Sequence, residues 1–461
     1  MAVFTMKKLR FIFTGFVFLG LCIASALAAA EAVSPAKDRV VLVISIDGFP
    51  SWMWRDDTLP IPTLRQLARE GAVAKAMTVS NPSVTWINHT TLVTGVNPRR
   101  HGVLYNGLLV RQGPTQPPKI EQWRDKAELV RVPTVYDRAA AAGLTVAQVD
   151  WVAVTNATSI RWNFSEIPNP KGEIEAELAA TGVATAEQLA NFTKNKNIAW
   201  RDMVWSRAAA HILKTRRPNL MLFHLLTTDS VNHTYGPGTV ASHTAFAYAD
   251  RMVKEQLDAL TDAGLRDKAT VLIVTDHGFK KVAKLIHPNV ALKQAGLLRA
   301  AGPTVTSCDA YVMAQGGLAF AFVTDPAKRA QVLPQLRKLC EGIEGVATVM
   351  DGNDAPQLGM PTPKENQGMG DLILYAKPGY AFQASAAGAD IIAEAKTYLG
   401  THGYASTDPE LDGVFLAWGR GIRAGAQLER IANLDVAPTI AQLLGVPLPD
   451  VEGRVLKEFL K

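Results

Sequence analysis

Apolar residues fall along this chain in short unbroken runs separated by amphipathic stretches. Val40 to Ile46 is apolar at every position but Ser45 and stops at Asp47. Such a run is the pattern of a strand covered on both faces, as in a parallel sheet. Leu220 to Asp229 and Thr270 to Asp276 repeat it, and each also closes on an acid. Helical patterns lie between them: Pro62 to Gly71, with proline near its start and glycine at its stop, then Trp86 to Thr94, Val132 to Ala142, Asn197 to Lys214, His243 to Ala263 and Leu434 to Leu444. Further strands are predicted over 72–80, 144–154, 317–324, 371–377 and 411–418, and Asn97 to Gly102 reads as a turn. Strands alternating with helices predict an α/β protein with a mostly parallel sheet and crossover helices. Residues 156–196 lose the alternation and are expected to cover the site, and the mixed pattern over 280–370 predicts a small inserted subdomain.

The first 30 residues stand apart from this pattern. Lys7, Lys8 and Arg10 precede the apolar run Phe11 to Ala26, and Ala26-Leu27-Ala28 offers the small residues a signal peptidase cuts after. That is the form of a secretory signal peptide, which implies a periplasmic or secreted protein with no membrane attachment after cleavage. The alternative is an anchor, but the run is short for a spanning helix and the small-residue exit follows at once. Leu21 before Cys22 fits a lipoprotein cleavage site poorly. The rest of the 461 residues exceed an ordinary single core unless it is a large α/β one.

Charge changes the picture little. The formal net charge is +6, and three of the basic residues lie in the leader. No run of five or more basic residues points to a stable nucleic acid partner. Beyond the leader the cysteines are Cys308 and Cys340. They could form one disulfide in an oxidising compartment, but two cysteines make no disulfide scaffold.

The candidate chemistry gathers just past the strand ends. Asp47, Asp229 with His233 four residues on, Asp276 with His277 adjacent, and His402 between Thr401 and Gly403 form the inventory. Any one of these aspartates alone reads as a helix cap. Together they supply six carboxylate and imidazole groups, the usual zinc ligands where thiolates are absent. That number matches two zinc ions ~4 Å apart with about three protein ligands each. Thr85 begins the helix that continues at Trp86, where free backbone amides favour an anion, so it reads either as a cap or as a nucleophile. Asn88 and His89, one turn on, read as braces for that helix. Asn106 before Gly107 reads as a turn residue or as an amide donor to a phosphoryl oxygen.

On these motifs the chain resembles the alkaline phosphatase superfamily, and most of all its nucleotide pyrophosphatase/phosphodiesterase branch. The family's first-strand aspartate is matched by Asp47 in Ser45-Ile46-Asp47-Gly48. Its Thr-Phe-Pro-Asn-His nucleophile motif is matched by Thr85-Trp86-Ile87-Asn88-His89, and its phosphate-holding asparagine by Asn106. Its metal ligands fall on Asp229 and His233, on Asp276 and His277, and on His402. The resemblance spans about residues 38–455 and implies an alkaline-phosphatase-like three-layer sandwich, helices on both faces of the sheet, with a catalytic domain over 31–455. It also implies one zinc held by Asp229, His233 and His402, and another by Asp47, Asp276 and His277 with Thr85 bridging toward it. The implied reaction is double displacement on a small phosphoester, a nucleotide among the candidates, through a phosphothreonine on Thr85.

Departures from the family bear on substrate. The family phenylalanine after the nucleophile is Trp86 here, which could stack on a planar leaving group or be core. A family aromatic five residues before the first-metal aspartate becomes His224, so half of a stacking slot is missing, or His224 is a satisfied strand histidine. Trp151, Trp162 and Tyr235 are candidates for the remaining pocket wall. Threonine-dependent monoesterases of the superfamily pair a lysine with an arginine to hold the extra charge of a dianion. Arg161 lies in about that region without its companion. The balance favours phosphodiesters over an alkaline phosphomonoesterase or a phosphonate hydrolase. A binding protein that had lost the chemistry would lack a ligand, and a sulfatase would need cysteine or serine where Thr85 stands. The sequence does not set the oligomeric state.

Overall fold

Val40–Ile46 is buried at every residue and pairs in parallel with Leu220–Leu225 on one side and Ala269–Val274 on the other. The structure, a computed structural model, describes Met1 and residues 36–461, so the predicted leader falls outside the described residues apart from its first residue. These three strands are the centre of a nine-stranded sheet. Beyond Leu220–Leu225 come Val146–Val149 and Trp162–Phe164, and beyond Ala269–Val274 come Gly413–Gly419, Ala72–Thr78 and two short edge strands. All pairings are parallel except those of Gly413–Gly419, which runs antiparallel to both neighbours.

The unbroken apolar runs have their cause in this placement. Successive side chains of a strand point to opposite faces. Leu42, Ile44 and Ile46 join one core with helices Pro62–Glu70, Ile198–Arg216 and Val240–Asp262, through Leu67, Trp205 and Phe246 among others. Val41 and Val43 join a second core under Thr85–Thr94, Val135–Ala141 and Val436–Leu444. The result is a three-layer sandwich. Burying each such side chain stabilises the fold by about 1.5–3 kcal/mol before conformational entropy is counted.

Separate smaller sheets follow in the chain. Ala310–Gln315, Leu318–Val323, Leu372–Ala376 and Val346–Asp351 form a four-stranded antiparallel sheet with its own core. Lys280–Ile286 pairs with Gly379–Phe382, Ile392–Glu394 and Gly400–Thr401.

Some elements differ from the sequence expectation. The strand expected over 144–154 stops at Val149, and Asp150 turns out of it at φ 57°. Residues 97–102 contain a short helix, Pro98–His101, rather than a simple turn. The run expected to reach Asp229 as strand ends at Leu225, and Asp229 lies in the first turn of helix Thr227–Tyr235. That helix starts early because the carboxylate of Asp202, from another helix, accepts the Leu226 and Thr227 backbone N–H groups at 3.0 and 2.9 Å. A cap supplied across the fold leaves no local sequence signal. Residues 156–196 hold the strand Trp162–Phe164 and the helices Glu173–Ala180 and Ala186–Ala190. They lay Ile174, Leu178 and Phe192 in the core that holds Trp205, and pair Glu177 with His211 at 2.7 Å. Cys308 and Cys340 are both buried and free, so they make no disulfide with each other.

Candidate active site

The C-terminal ends of the three central strands set the site, as in other open α/β sheets. Ile46 is level with Leu225 and Ser45 with Val274, so Asp47 emerges beside the Thr275-Asp276-His277 turn and the start of the Asp229 helix. Gly48 lets the chain leave that point. It sits at φ 64°, and a side chain there would meet the Phe279 ring at 2.8 Å, while its N–H donates to Asp276 Oδ1 at 3.1 Å.

Two groups of side chains there can each hold a cation: Asp229, His233 and His402, and Asp47, Asp229 and His277. Asp229 belongs to both. Its Oδ1 stands 3.3 Å from His233 Nε2 and 3.7 Å from His402 Nε2. Nε2 of His277 stands 3.4 Å from Asp47 Oδ1 and 3.1 Å from Asp276 Oδ2. The three histidines share one orientation. Nδ1 of His233 faces the Gly400 carbonyl at 2.9 Å, Nδ1 of His402 the Ser83 carbonyl at 2.9 Å, and Nδ1 of His277 the Gly278 carbonyl at 3.1 Å. A carbonyl only accepts, so each Nδ1 carries the hydrogen and each Nε2 turns its lone pair inward.

The carboxylates tell the same story. Asp47 Oδ1, Asp229 Oδ1 and Asp276 Oδ2 are buried without a hydrogen-bond partner, a costly state unless a cation faces them. Burial, then the Asp229 charge, pushes Asp47 up to about 7. Burial and the Asp47 charge drive Asp276 well above the carboxylate range. Burial, then His233, holds His402 down to about 4, and burial with His402 keeps His277 well below the usual imidazole value. Neutral imidazoles and crowded oxygens fit a divalent metal with nitrogen and oxygen preference.

Thr85 is the first residue of the buried helix Thr85–Thr94, which has no side-chain cap. Its hydroxyl is not spent on capping and stands 3.4 Å from His277 Nε2. Asn88 and His89 brace this helix start. The Asn88 amide donates to the Pro82 and Val84 carbonyls at 3.0 Å each and accepts the Ser80 N–H at 2.8 Å, and His89 Nδ1 faces the Thr85 carbonyl at 2.9 Å. Asn106 is half-buried beside it, with Oδ1 accepting the Trp86 N–H at 3.1 Å.

The expected pocket residues fare differently. Trp86 is only 4 % exposed. It packs with Val84, Val103, Leu129 and Val152 and meets Trp123 edge-on at 5.6 Å, so it offers no open stacking face. His224 is 2 % exposed and faces Asp47 Oδ2 at 3.0 Å, inside the protein and not on a pocket wall. Trp151 is buried against the His89 ring. Arg161 lies over its neighbour Trp162 at 5.0 Å at the edge of the sheet, and Tyr235 is exposed at its helix end. Among the described residues no lysine or arginine bonds to Thr85, Asn106 or the clustered acids. Sequence reasoning passed over Asp150, Asp202 and Trp123. Asp150 carries the signal used for Asp47, an acid after an apolar run, but was hidden inside an overlong strand.

Comparison with known proteins places this geometry. The chain is 23% identical to rat ectonucleotide pyrophosphatase/phosphodiesterase family member 7, over 96% of this chain and 92% of that protein. It is 23% identical to venom phosphodiesterase 2 of Crotalus adamanteus, over 55% of this chain and 28% of that one. An inactive variant of murine ectonucleotide pyrophosphatase/phosphodiesterase 5, solved in complex with AMP, superposes with a TM-score of 0.70 at 16% identity, covering 92% of this chain and all of that one. Human ectonucleotide pyrophosphatase/phosphodiesterase 5 superposes at 0.68 and 18% identity with the same coverage. The family profile for type I phosphodiesterase / nucleotide pyrophosphatase matches residues 41–405. With that match over most of its length, the chain belongs to the type I phosphodiesterase / nucleotide pyrophosphatase family, hydrolases of the alkaline phosphatase superfamily.

Proposed function

We propose that the protein is a two-zinc phosphodiesterase that hydrolyses phosphodiester bonds through a phosphothreonine on Thr85. The observation that carries this reading is the position of the Thr85 hydroxyl, uncapped at a helix start and 3.4 Å from Nε2 of His277, a member of a candidate metal cluster. Asp229, His233 and His402 would hold one zinc, and Asp47, Asp276 and His277 the other. Asp229, which belongs to both clusters, would lie between them. Zinc bound there would supply Lewis-acid charge, lowering the pKa of a coordinated hydroxyl and balancing charge on phosphoryl oxygens. Thr85 Oγ1 gives up its proton and attacks phosphorus in line, one ester oxygen departs as its alcohol, and water then cleaves the Thr85 Oγ1–phosphorus bond, releasing the phosphomonoester that keeps the other ester group and restoring the hydroxyl. Asn106, its Oδ1 committed to Trp86, turns its NH₂ to a phosphoryl oxygen.

The lack of a lysine or arginine bonded to these groups, among the described residues, supports a phosphoryl centre with one negative charge, a diester, over the dianion of a monoester. A family relative solved with AMP supports a nucleotide as substrate, although burial of Trp86 and His224 removes the stacking pair considered above. The leader read over residues 1–30 supports action in the periplasm or outside the cell, with the catalytic domain over 31–455 and a subdomain over 280–370.

The test is kcat/KM of zinc-loaded protein on bis-(4-nitrophenyl) phosphate against 4-nitrophenyl phosphate, with a chelated control. A diester preference of about a hundredfold corresponds to about 2.7 kcal/mol of differential transition-state stabilisation. A monoester preference would make the protein a phosphatase, and no zinc-dependent turnover of either would overturn the reading.

A further inference from the structure

His224 sits on the central strand Leu220–Leu225 with an acid at each ring nitrogen. Nε2 is 3.0 Å from Asp47 Oδ2. Nδ1 is 3.1 Å from both the backbone carbonyl and Oδ2 of Asp150. The carbonyl only accepts, so Nδ1 carries a hydrogen. An Asp47 that ligates a metal is ionised and also only accepts, so Nε2 carries one too. His224 then donates from both nitrogens, and the Asp150 carboxyl stands at its far side. Asp150 is 1 % exposed and adopts φ 57°, a backbone conformation and a burial that both cost stability. Neither oxygen of its carboxylate has a hydrogen-bond partner, and Oδ2 lies within ion-pair distance of His224 Nδ1.

We propose that His224, braced by Asp150, is a positioning residue for the metal site built on Asp47, His277 and Asp276: it fixes the Asp47 carboxylate through Oδ2 so that Oδ1 alone faces the metal. The geometry supports this at both ends of Asp47. Oδ2 is taken by His224, while Oδ1 is buried, unpartnered and 3.4 Å from His277 Nε2. Without the His224 contact the carboxylate is free to turn about its last bond, and the site loses a preset ligand. His224 hydrogen-bonds Asp47 and the Asp150 carbonyl and neither His233 nor His402, so its loss falls mainly on the site built on Asp47, and reaches the other cluster only through the shared Asp229. Partners that orient metal ligands typically contribute 10–100-fold in affinity.

The proposal rests on the two-zinc reading, and the experiment separates the two. Metal-free full-length protein is titrated with zinc in a chelator buffer, as wild type, His224→Leu, His224→Gln and Asp150→Asn, with thermal unfolding of each metal-free form as a folding control. Wild type is expected to bind two zinc ions. His224→Leu is expected to weaken one site about 10–100-fold and the other, linked through the shared Asp229, much less, and His224→Gln, whose amide can still donate to Asp47, to recover part of the loss. Asp150→Asn, nearly the same shape, is expected to weaken the same site by a smaller factor, and it carries the test if His224→Leu fails to fold. In an Asp47→Asn background the His224 substitution is expected to have no further effect. Two tight sites in wild type, with both unchanged in Asp150→Asn and in the folded His224 variants, overturn the proposal alone. Wild type that takes up no zinc overturns it together with the two-zinc reading.

Discussion

Asn106 accepts the Trp86 backbone N–H at 3.1 Å, and this one bond decides what the rest of its side chain can do. With Oδ1 committed next to the Thr85 helix start, the NH₂ group is left to donate. Asn106→Ala is expected to lower kcat by about 10²–10³-fold, on the order of 3 kcal/mol of transition-state stabilisation, the size of one lost oxyanion donor. Steady-state kinetics with the fold checked by circular dichroism measure it. Unchanged kcat would remove Asn106 from the reaction.

Thr85→Ala is expected to abolish turnover, with a loss of at least ~10³-fold or about 4 kcal/mol, while leaving zinc content at the wild-type value. Elemental analysis and single-turnover assays on the same preparation separate the two effects. Near-normal activity would refute a covalent intermediate on this residue.

Acidity bears on metal uptake through Asp47, pushed up to about 7, and His402, held down to about 4. Above about pH 7 Asp47 is already ionised and His402 neutral, both ready to bind. Below about 7 a proton must leave Asp47 as zinc enters, while His402 stays neutral until pH nears 4. Zinc affinity is therefore expected to fall as pH drops through about 7, with the Asp47 proton alone contributing up to about tenfold per pH unit. Chelator-competition titrations across that range measure the slope, and an affinity constant down to about pH 5 would refute the assignment.

Burial raises the thiols of Cys308 and Cys340 to about 11 and about 12. At pH near 8 the thiolate fraction is then on the order of one in a thousand or less. Cys308 and Cys340 of the folded protein are expected to resist a thiol reagent, and denaturant without reductant to release both groups at once. Prompt labelling of the native form, or no labelling after unfolding, would contradict the free, buried state.

Removing Asn88 is expected to destabilise without touching the chemistry directly. Its side chain is buried and spans Ser80, Pro82, Val84 and Asn433. Asn88→Ala leaves the Ser80 N–H and the Asn433 amide without an acceptor, about 1–3 kcal/mol for each buried group. A lower Tm together with a reduced kcat is expected, because the strand-to-helix turn that aims Thr85 loosens. An unchanged Tm would show that water replaces these bonds.

The central sheet and the candidate ligands were legible because each depends on a local rule. Val40–Ile46 and Ala269–Val274 are unbroken apolar runs, and Asp47 and Asp276 follow them at the end where such sheets bind. What was not legible depends on distant partners. Asp229 is helical because Asp202 caps that helix from elsewhere. Trp86 is core because Val103, Leu129 and Val152 close around it. His224 looked like a slot residue by its spacing from Asp229, yet the strand's alternation turns it toward Asp47 and Asp150. Periodicity gives a residue's face, but not which neighbour will occupy that face.

The contact between His402 and Ser83 joins residues 319 positions apart, and it carries a consequence for biogenesis. Ser83 Oγ also donates to the Tyr404 carbonyl, and Gly403 N–H to the Ser83 carbonyl. The segment bearing His402 is thus fastened to the turn ahead of Thr85. During synthesis, Asp229 and His233 leave the ribosome long before His402. Until that late segment arrives, the early pair can bind a metal only loosely and the threonine turn lacks its clasp. On the proposed ligand set, the cluster that includes His402 and the turn that aims Thr85 are completed by the same late segment, so a chain interrupted before residue 402 is expected to lack both, while the residues of the other cluster are already made.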